Sequence, residues 1–192
     1  IASKFFNRKL NVNKIICFEP YTPYVKILKK LKIKNIKIYP YGIDKFNKYY
    51  DVFFPRYRFF SKNLDLITYT FYNKKKLIKQ INLDFVFKKN IEIINQKIYL
   101  KKVKKIQTKI HLIKIDVNGH EFSVIKGLEQ VIRRDRPALI IETGEDIKNI
   151  EKFLKKYNFK KYLFSNEQSK FFEIKKDYPL NTYFLQNSHL SI

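Results

Sequence analysis

The feature that most constrains this chain is an alternation of short apolar runs with helical stripes, which recurs along most of its length. The run Ile15-Ile16-Cys17-Phe18, closed by Glu19-Pro20, reads as a buried strand ending at a proline. Residues 21–31 follow with Val25, Leu28 and Leu31 at helical spacing. Residues 35–39 then form a second strand, in which Ile36 and Ile38 alternate with lysine before Pro40 and Gly42 break it. The rhythm returns with a buried strand over 110–117 and a helix over 119–134 that carries Phe122, Ile125, Leu128 and Ile132 on one face. Pro137 opens a strand over 138–143, and a helix over 146–157 follows on the stripe Ile147, Ile150, Phe153, Leu154, Tyr157. Late strands are predicted over 160–164, 171–174 and 182–186. Strands alternating with helices at this spacing predict an α/β doubly wound domain, its mainly parallel sheet covered by helices on both faces.

Two stretches depart from that rhythm. Residues 1–10 read as the end of a helix with Phe5, Phe6 and Leu10 as its apolar positions. Residues 44–107 change to aromatic and β-branched segments, with strands expected over 51–60, 65–72, 83–87 and 91–103 and one helical period over 74–81. We take this stretch as a hairpin-rich insertion within one domain spanning residues 1–192.

Composition narrows the function classes. A 45% hydrophobic, 17% aromatic chain excludes intrinsic disorder, and no apolar run is long enough for a membrane span. With a single cysteine, Cys17, and no signal-peptide pattern, neither a disulfide scaffold nor export is indicated, and a cytoplasmic location is expected. The net charge of +24 invites a nucleic-acid reading. Yet 35 of the cations are lysine and only 6 are arginine, the residue whose fork best reads phosphate and bases, and Ile, Asn, Phe and Tyr are abundant while Ala occurs twice. That is the residue set of AT-rich codons, so a solvated lysine surface is preferred over nucleic-acid binding. The charge is also uneven, with a net +21 in residues 1–110 and +3 in 111–192. The basic first part therefore suggests a face meeting an acidic surface, an anionic glycan or an acidic partner segment.

In doubly wound sheets the chemistry collects at the carboxyl ends of the strands. That rule selects Glu19, Gly42, Asp116 and Glu142. A carboxylate at Glu19 can accept hydrogen bonds from the two vicinal hydroxyls of a ribose. Asp116 ends a buried strand, where a carboxylate needs a hydroxyl, a cation or a backbone amide as partner. Asn118 can cap the following helix with Glu121 as its capping-box partner, and Gly119 permits an unusual dihedral. His120, at the helix start, is expected to be neutral and able to accept a proton.

The segment KIDVNGHEFSVIKGLEQ with the downstream RPALIIE, together with ICFEPYTPYVKILKKL, resembles the signature blocks of FkbM-family S-adenosylmethionine-dependent methyltransferases in residues, order and separation. The resemblance implies a class I, Rossmann-like fold that uses S-adenosyl-L-methionine to methylate a hydroxyl of a sugar, glycan or small metabolite. It implies that Glu19 holds the cofactor ribose with Tyr21 beside it, and that residues 40–43, among them Gly42 and Ile43, border the adenine. Asp116 would serve both cofactor and catalysis, with Asp116 or His120 as the base. Lys114, Gly119, Glu121 and Glu142 would lie on the acceptor side. No metal is called for. The insertion would set acceptor specificity, and its lysines with Arg56 and Arg58 suit an anionic or phosphorylated glycan.

Two departures from the family pattern carry expectations of their own. Asn118 stands where the family usually has Glu, which removes an acid from that position. The family's first strand and Gly-rich loop should precede Ile1, and with four glycines in the chain no such loop lies elsewhere. A hydrophobic gap between the strand at Ile15 and the strand at Ile110 is therefore expected. The competing readings are a degenerate methyltransferase-like domain without activity and a basic nucleic-acid-binding protein.

Overall fold

The computed structural model describes residues 12–85, 88–103 and 106–190. The helix end read over residues 1–10 lies outside them.

Strands β1 (Ile15–Phe18) and β2 (Ile36–Tyr39) pair in parallel, Cys17 opposite Ile38. The connection between them is helix α1 (Thr22–Lys30). A proline in its first turn presets the backbone, Val25 and Leu28 turn inward, and Lys29 and Lys30 sit favourably at the negative end of the helix dipole.

The insertion forms a second sheet. Strand β3 (Gly42–Ile43) runs parallel to β6 (Ile91–Lys101), which pairs antiparallel with β4 (Lys48–Phe59), which in turn pairs with β5 (Lys62–Asp65). The expected hairpins are present, and the helix expected over 74–81 is α2 (Lys74–Asp84), capped by Asn73 and burying Leu77 and Ile81. Two strand expectations fail. Residues 65–72 hold the end of β5, a 3-10 turn, Ile67–Tyr69, and a single antiparallel bridge of Phe71 to Phe53 of β4 rather than a continuous strand, and the stretch 83–87 begins inside α2, with 86–87 outside the described residues. Apolar side chains there serve turn packing and a helix face, which short runs cannot distinguish from strand.

The third sheet has the order β10-β9-β11-β8-β7. Strands β7 (Leu112–Ile115) and β8 (Ala138–Glu142) are parallel; β9 (Lys160–Ser165), β10 (Lys170–Glu173) and β11 (Asn181–Leu185) join antiparallel. The sheets are thus mixed, which corrects the mainly parallel expectation. After β9 the chain returns through the four-residue turn 166–169 into β10 and the seven-residue connection 174–180 into β11, with no helical crossover, and both strands run antiparallel to β9. The single helix expected over 119–134 is α3 (Glu121–Gly127) and α4 (Glu129–Asp135), interrupted at Leu128.

Helices α3, α4 and α5 (Ile147–Lys155) share one core with β7, β8 and β11, built on Ile125, Ile132, Leu139, Ile141, Ile150 and Leu154. Phe18 of β1 packs against this core and Lys14 Nζ donates to Thr108 Oγ1. Even so, among the described residues β1 and β7 are not paired with each other, and each ends its own sheet.

Candidate active site

Parallel strands β7 and β8 are in register, Lys114 beside Ile140 and Ile115 beside Ile141. One step further along both strands brings Asp116 beside Glu142, and Glu142 is also the partner of Asn181 at the start of β11. Three neighbouring strands therefore present a polar residue at one level. Lys114, two residues before Asp116 and on the same face, sends Nζ to Asp116 Oδ2 at 2.9 Å and to Asn181 Oδ1 at 3.1 Å. The carboxyl groups of Asp116 and Glu142 are close enough for one, when protonated, to hydrogen-bond the other. The two carboxyls are pushed in opposite directions. Desolvation works to raise Asp116, but hydrogen bonds from Lys114 and Glu142 outweigh it and hold Asp116 below the usual range. Desolvation, the bond to Asp116 and the charges of Asp116 and Glu121 raise Glu142 to about 7.

The loop after β7 turns through two left-handed residues, Asn118 (φ 53°) and Gly119 (φ 95°). Glu121 makes that turn possible. Its carboxylate, 3% exposed, accepts the amides of Val117 (3.3 Å) and Gly119 (3.0 Å). The capping box expected with Asn118 is absent, because His120 is the N-cap residue and no side chain caps α3. Glu121 Oε1 accepts from the loop amides instead.

His120 does not open into solvent. Nε2 lies 2.8 Å from Asp44 Oδ2, the ring stacks on Tyr72 at 4.3 Å and 19°, and Tyr50 meets it edge-on at 5.1 Å. A carboxylate only accepts, so Nε2 carries the proton. Burial pulls the His120 pKa down, and the Asp44 bond opposes this without reversing it.

On the β1 side, Glu19 Oε1 accepts the Tyr21 amide at 2.8 Å, and burial raises the Glu19 pKa against that bond. Tyr21 is buried against Tyr24 and Phe54 of the insertion. Gly42 and Ile43 are buried in β3: a Cβ on Gly42 would lie 2.5 Å from Leu100 Cδ2 and 3.4 Å from Pro20 Cγ. The rings of Phe18, Tyr39 and Tyr41 cluster at the ends of β1 and β2, with centroids 5.1 to 5.7 Å apart. Arg56 binds Asp65 through two nitrogens and Arg58 binds Glu92, so both guanidinium groups are already neutralised within the insertion.

Sequence reasoning missed Asp44, Tyr72 and Asn181. Asp44 follows a strand of two residues, too short to register as one. Tyr72 and Asn181 acquire their places only through stacking and strand register. A cleft lined by Lys109, His111, Asp135, Arg136, Ser188 and His189 lies at the opposite, amino-terminal ends of β7 and β8, away from these groups.

The fold is similar to that of a solved methyltransferase. The crystal structure of the methyltransferase FkbM from Methylobacillus flagellatus KT matches 95% of this chain with a TM-score of 0.55 at 12% identity. The family model for the methyltransferase FkbM domain matches residues 4–161, and the chain belongs to that family. It spans 40% of the length of the M. flagellatus protein. No curated protein matches it.

Proposed function

We propose that this chain is an S-adenosyl-L-methionine-dependent O-methyltransferase that acts on a hydroxyl of a sugar, glycan or small metabolite in the cytoplasm. The observation that carries the reading is Glu19, a carboxylate held by the Tyr21 amide at the end of β1 in a chain of this family. An ionised carboxyl offers about four acceptor positions. One is used by Tyr21, so two vicinal ribose hydroxyls can be accommodated. Tyr41, within the 40–43 segment, packs against Phe18, the residue before Glu19, and offers an aromatic face on which an adenine can stack. Gly42 and Ile43 support this segment from within the core, and Tyr21 packs against Phe54 of the insertion.

The cofactor supplies an electrophilic methyl group on a sulfonium. The chain's own residues supply position: holding the reacting atoms near attack distance is worth several kcal/mol. Lys114, Asp116, Gly119, Glu121 and Glu142 form the acceptor side, Glu121 by fixing the loop and the others by facing it. With Arg56 and Arg58 paired internally, support for an anionic acceptor rests on the lysines of the insertion alone.

The test is calorimetric titration of the chain with S-adenosylhomocysteine. Binding that weakens at least about tenfold in Glu19→Ala, the equivalent of one charged hydrogen bond, supports the reading. Absence of binding, or binding indifferent to Glu19→Ala, refutes it.

A further inference from the structure

The methyl-transfer reading leaves open where the acceptor's proton goes, and the arrangement at the ends of β7, β8 and β11 addresses that within the same site. We propose that Glu142 takes the proton of the acceptor hydroxyl, that Asp116 positions Glu142, and that Lys114 keeps Asp116 ionised. The inference rests on the methyltransferase reading above.

Three candidates for a base stand at this end of the sheet, and geometry separates them. His120 is 8% exposed and clamped between Tyr72, Tyr50 and Asp44, so an acceptor cannot reach its ring without displacing that packing. Asp116 is 52% exposed but is bound at Oδ2 by the Lys114 ammonium at 2.9 Å. A carboxylate paired with a cation is a poor proton acceptor. Glu142 differs from both. It is half-buried on the middle strand of the three, flanked by Asp116 and Asn181, and no lysine or arginine bridges to it among the described residues.

The charged groups facing Glu142 are Asp116 and Lys114 from β7 and Glu121 from α3, and Asn181 of β11 is neutral. Two negative neighbours and partial burial favour the protonated form, while Lys114 opposes it. Acidity near neutral is what an efficient general base requires. In the step itself, an oxygen lone pair of the acceptor forms the new bond to the methyl carbon while the methyl–sulfur bond breaks and leaves its electron pair on sulfur. The hydroxyl proton passes to a Glu142 carboxylate oxygen. One cationic sulfur and one carboxylate are both neutralised, so charge balances without a further reactant.

Two measurements on the full chain test this. The first is a carbon-13 NMR titration of the side-chain carboxyls, with Glu142 assigned by its loss in Glu142→Gln. The Glu142 midpoint is expected near neutral, lower in Asp116→Asn and higher in Lys114→Gln. An ordinary carboxylate midpoint, or one unmoved by Asp116→Asn, overturns the proposal whatever the acceptor is.

The second incubates the protein with tritiated S-adenosylmethionine and a panel of methyl glycosides. Glu142→Gln is expected to lower transfer roughly a hundredfold or more while S-adenosylhomocysteine affinity stays within about twofold. The acid limb of the pH–rate profile should follow the NMR midpoint in Asp116→Asn. Wild-type protein that binds no S-adenosylhomocysteine refutes the methyltransferase reading. Protein that binds and transfers, with Glu142→Gln as active as wild type, refutes the proton assignment alone.

Discussion

His120 and Asp44 are 76 residues apart in sequence and joined by a 2.8 Å contact that ties the loop after β7 to the insertion. Asp44 is fully buried, also accepts the Phe46 amide at 3.2 Å and has Lys48 Nζ 3.6 Å from its Oδ2. The contact therefore adds a polar link between α3 and the insertion where Ile43 and Val103 already join the core of α3, α4 and α5.

That contact predicts a pH dependence of stability. Burial lowers the folded-state pKa of His120 below its unfolded value, with Asp44 and Glu121 opposing and Lys48 assisting. The unfolded chain then binds more protons as the pH falls below about 6.5, the unperturbed value. Folding stability is expected to decrease from that pH down to the folded pKa and to level off below it. Glu142, raised in the fold, adds the opposite slope between the usual carboxylate range and about 7. Urea midpoints of wild type and His120→Gln from pH 5 to 7.5 isolate the histidine contribution as their difference. Identical pH profiles for the two proteins would refute it.

Gly127→Ala should destabilise the chain although alanine is the better helix former. A Cβ at Gly127 would lie 2.6 Å from Asp44 O and 2.8 Å from both Asp44 C and Ile43 Cγ2. The first two are backbone atoms and cannot rotate away. Overpacking of this kind costs about 1–3 kcal/mol, against a propensity gain of about 1 kcal/mol. A thermal midpoint equal to or above wild type would count against the close approach.

Glu121 provides a local test. Replacing it by Ala leaves the amides of Val117 and Gly119 without their acceptor and removes a buried carboxylate. Each lost charged bond is worth about 1.5–3 kcal/mol. Amide exchange at Val117 and Gly119 should accelerate by at least about tenfold in Glu121→Ala, with β8 amides such as Leu139 changing only as far as global stability does. Unchanged protection at Gly119 would show that the loop holds itself.

Where the apolar period was long or the run was bounded by proline, the sequence located elements to within a residue or two: β1, α1, β8 and α5 all lie where Glu19-Pro20, Pro137 and the Ile147 stripe put them. The break at Leu128 was invisible because both half-helices keep the same apolar face. Its physical companion is the contact of Gly127 with Asp44, a tertiary relation. Strand direction in the second half was equally hidden, since an apolar run has no sign. Asp116 and Glu142 were legible as polar ends of buried strands, whereas their mutual bond required the register of β7 on β8. His120 was legible as a candidate from its place at a helix start. Its burial was not, because the residues that enclose it, Asp44, Tyr50 and Tyr72, come from the insertion.

Lys161 and Glu151 supply the last prediction. Lys161 is 5% exposed; its Nζ lies 3.2 Å from Glu151 Oε2 and 4.0 Å from the centre of the Tyr178 ring, and the Tyr178 hydroxyl donates to the same Glu151 oxygen. Bringing an ammonium into this position costs desolvation that the pair must offset, so the pair as a whole contributes little net stability, while either charge alone is unfavourable. Removing the acid in Glu151→Ala strands the buried ammonium and leaves the Tyr178 hydroxyl without its acceptor, and a loss of about 3 kcal/mol is expected. Lys161→Met keeps the length and apolar stem that pack on Tyr178 and removes the charge, while Glu151, 35% exposed, can still be hydrated. Lys161→Met should therefore lie within about 1 kcal/mol of wild type. Urea denaturation of the two single variants decides it. A loss in Lys161→Met as large as that in Glu151→Ala would mean that the ion pair itself, rather than the cost of breaking it on one side, holds α5 against β9.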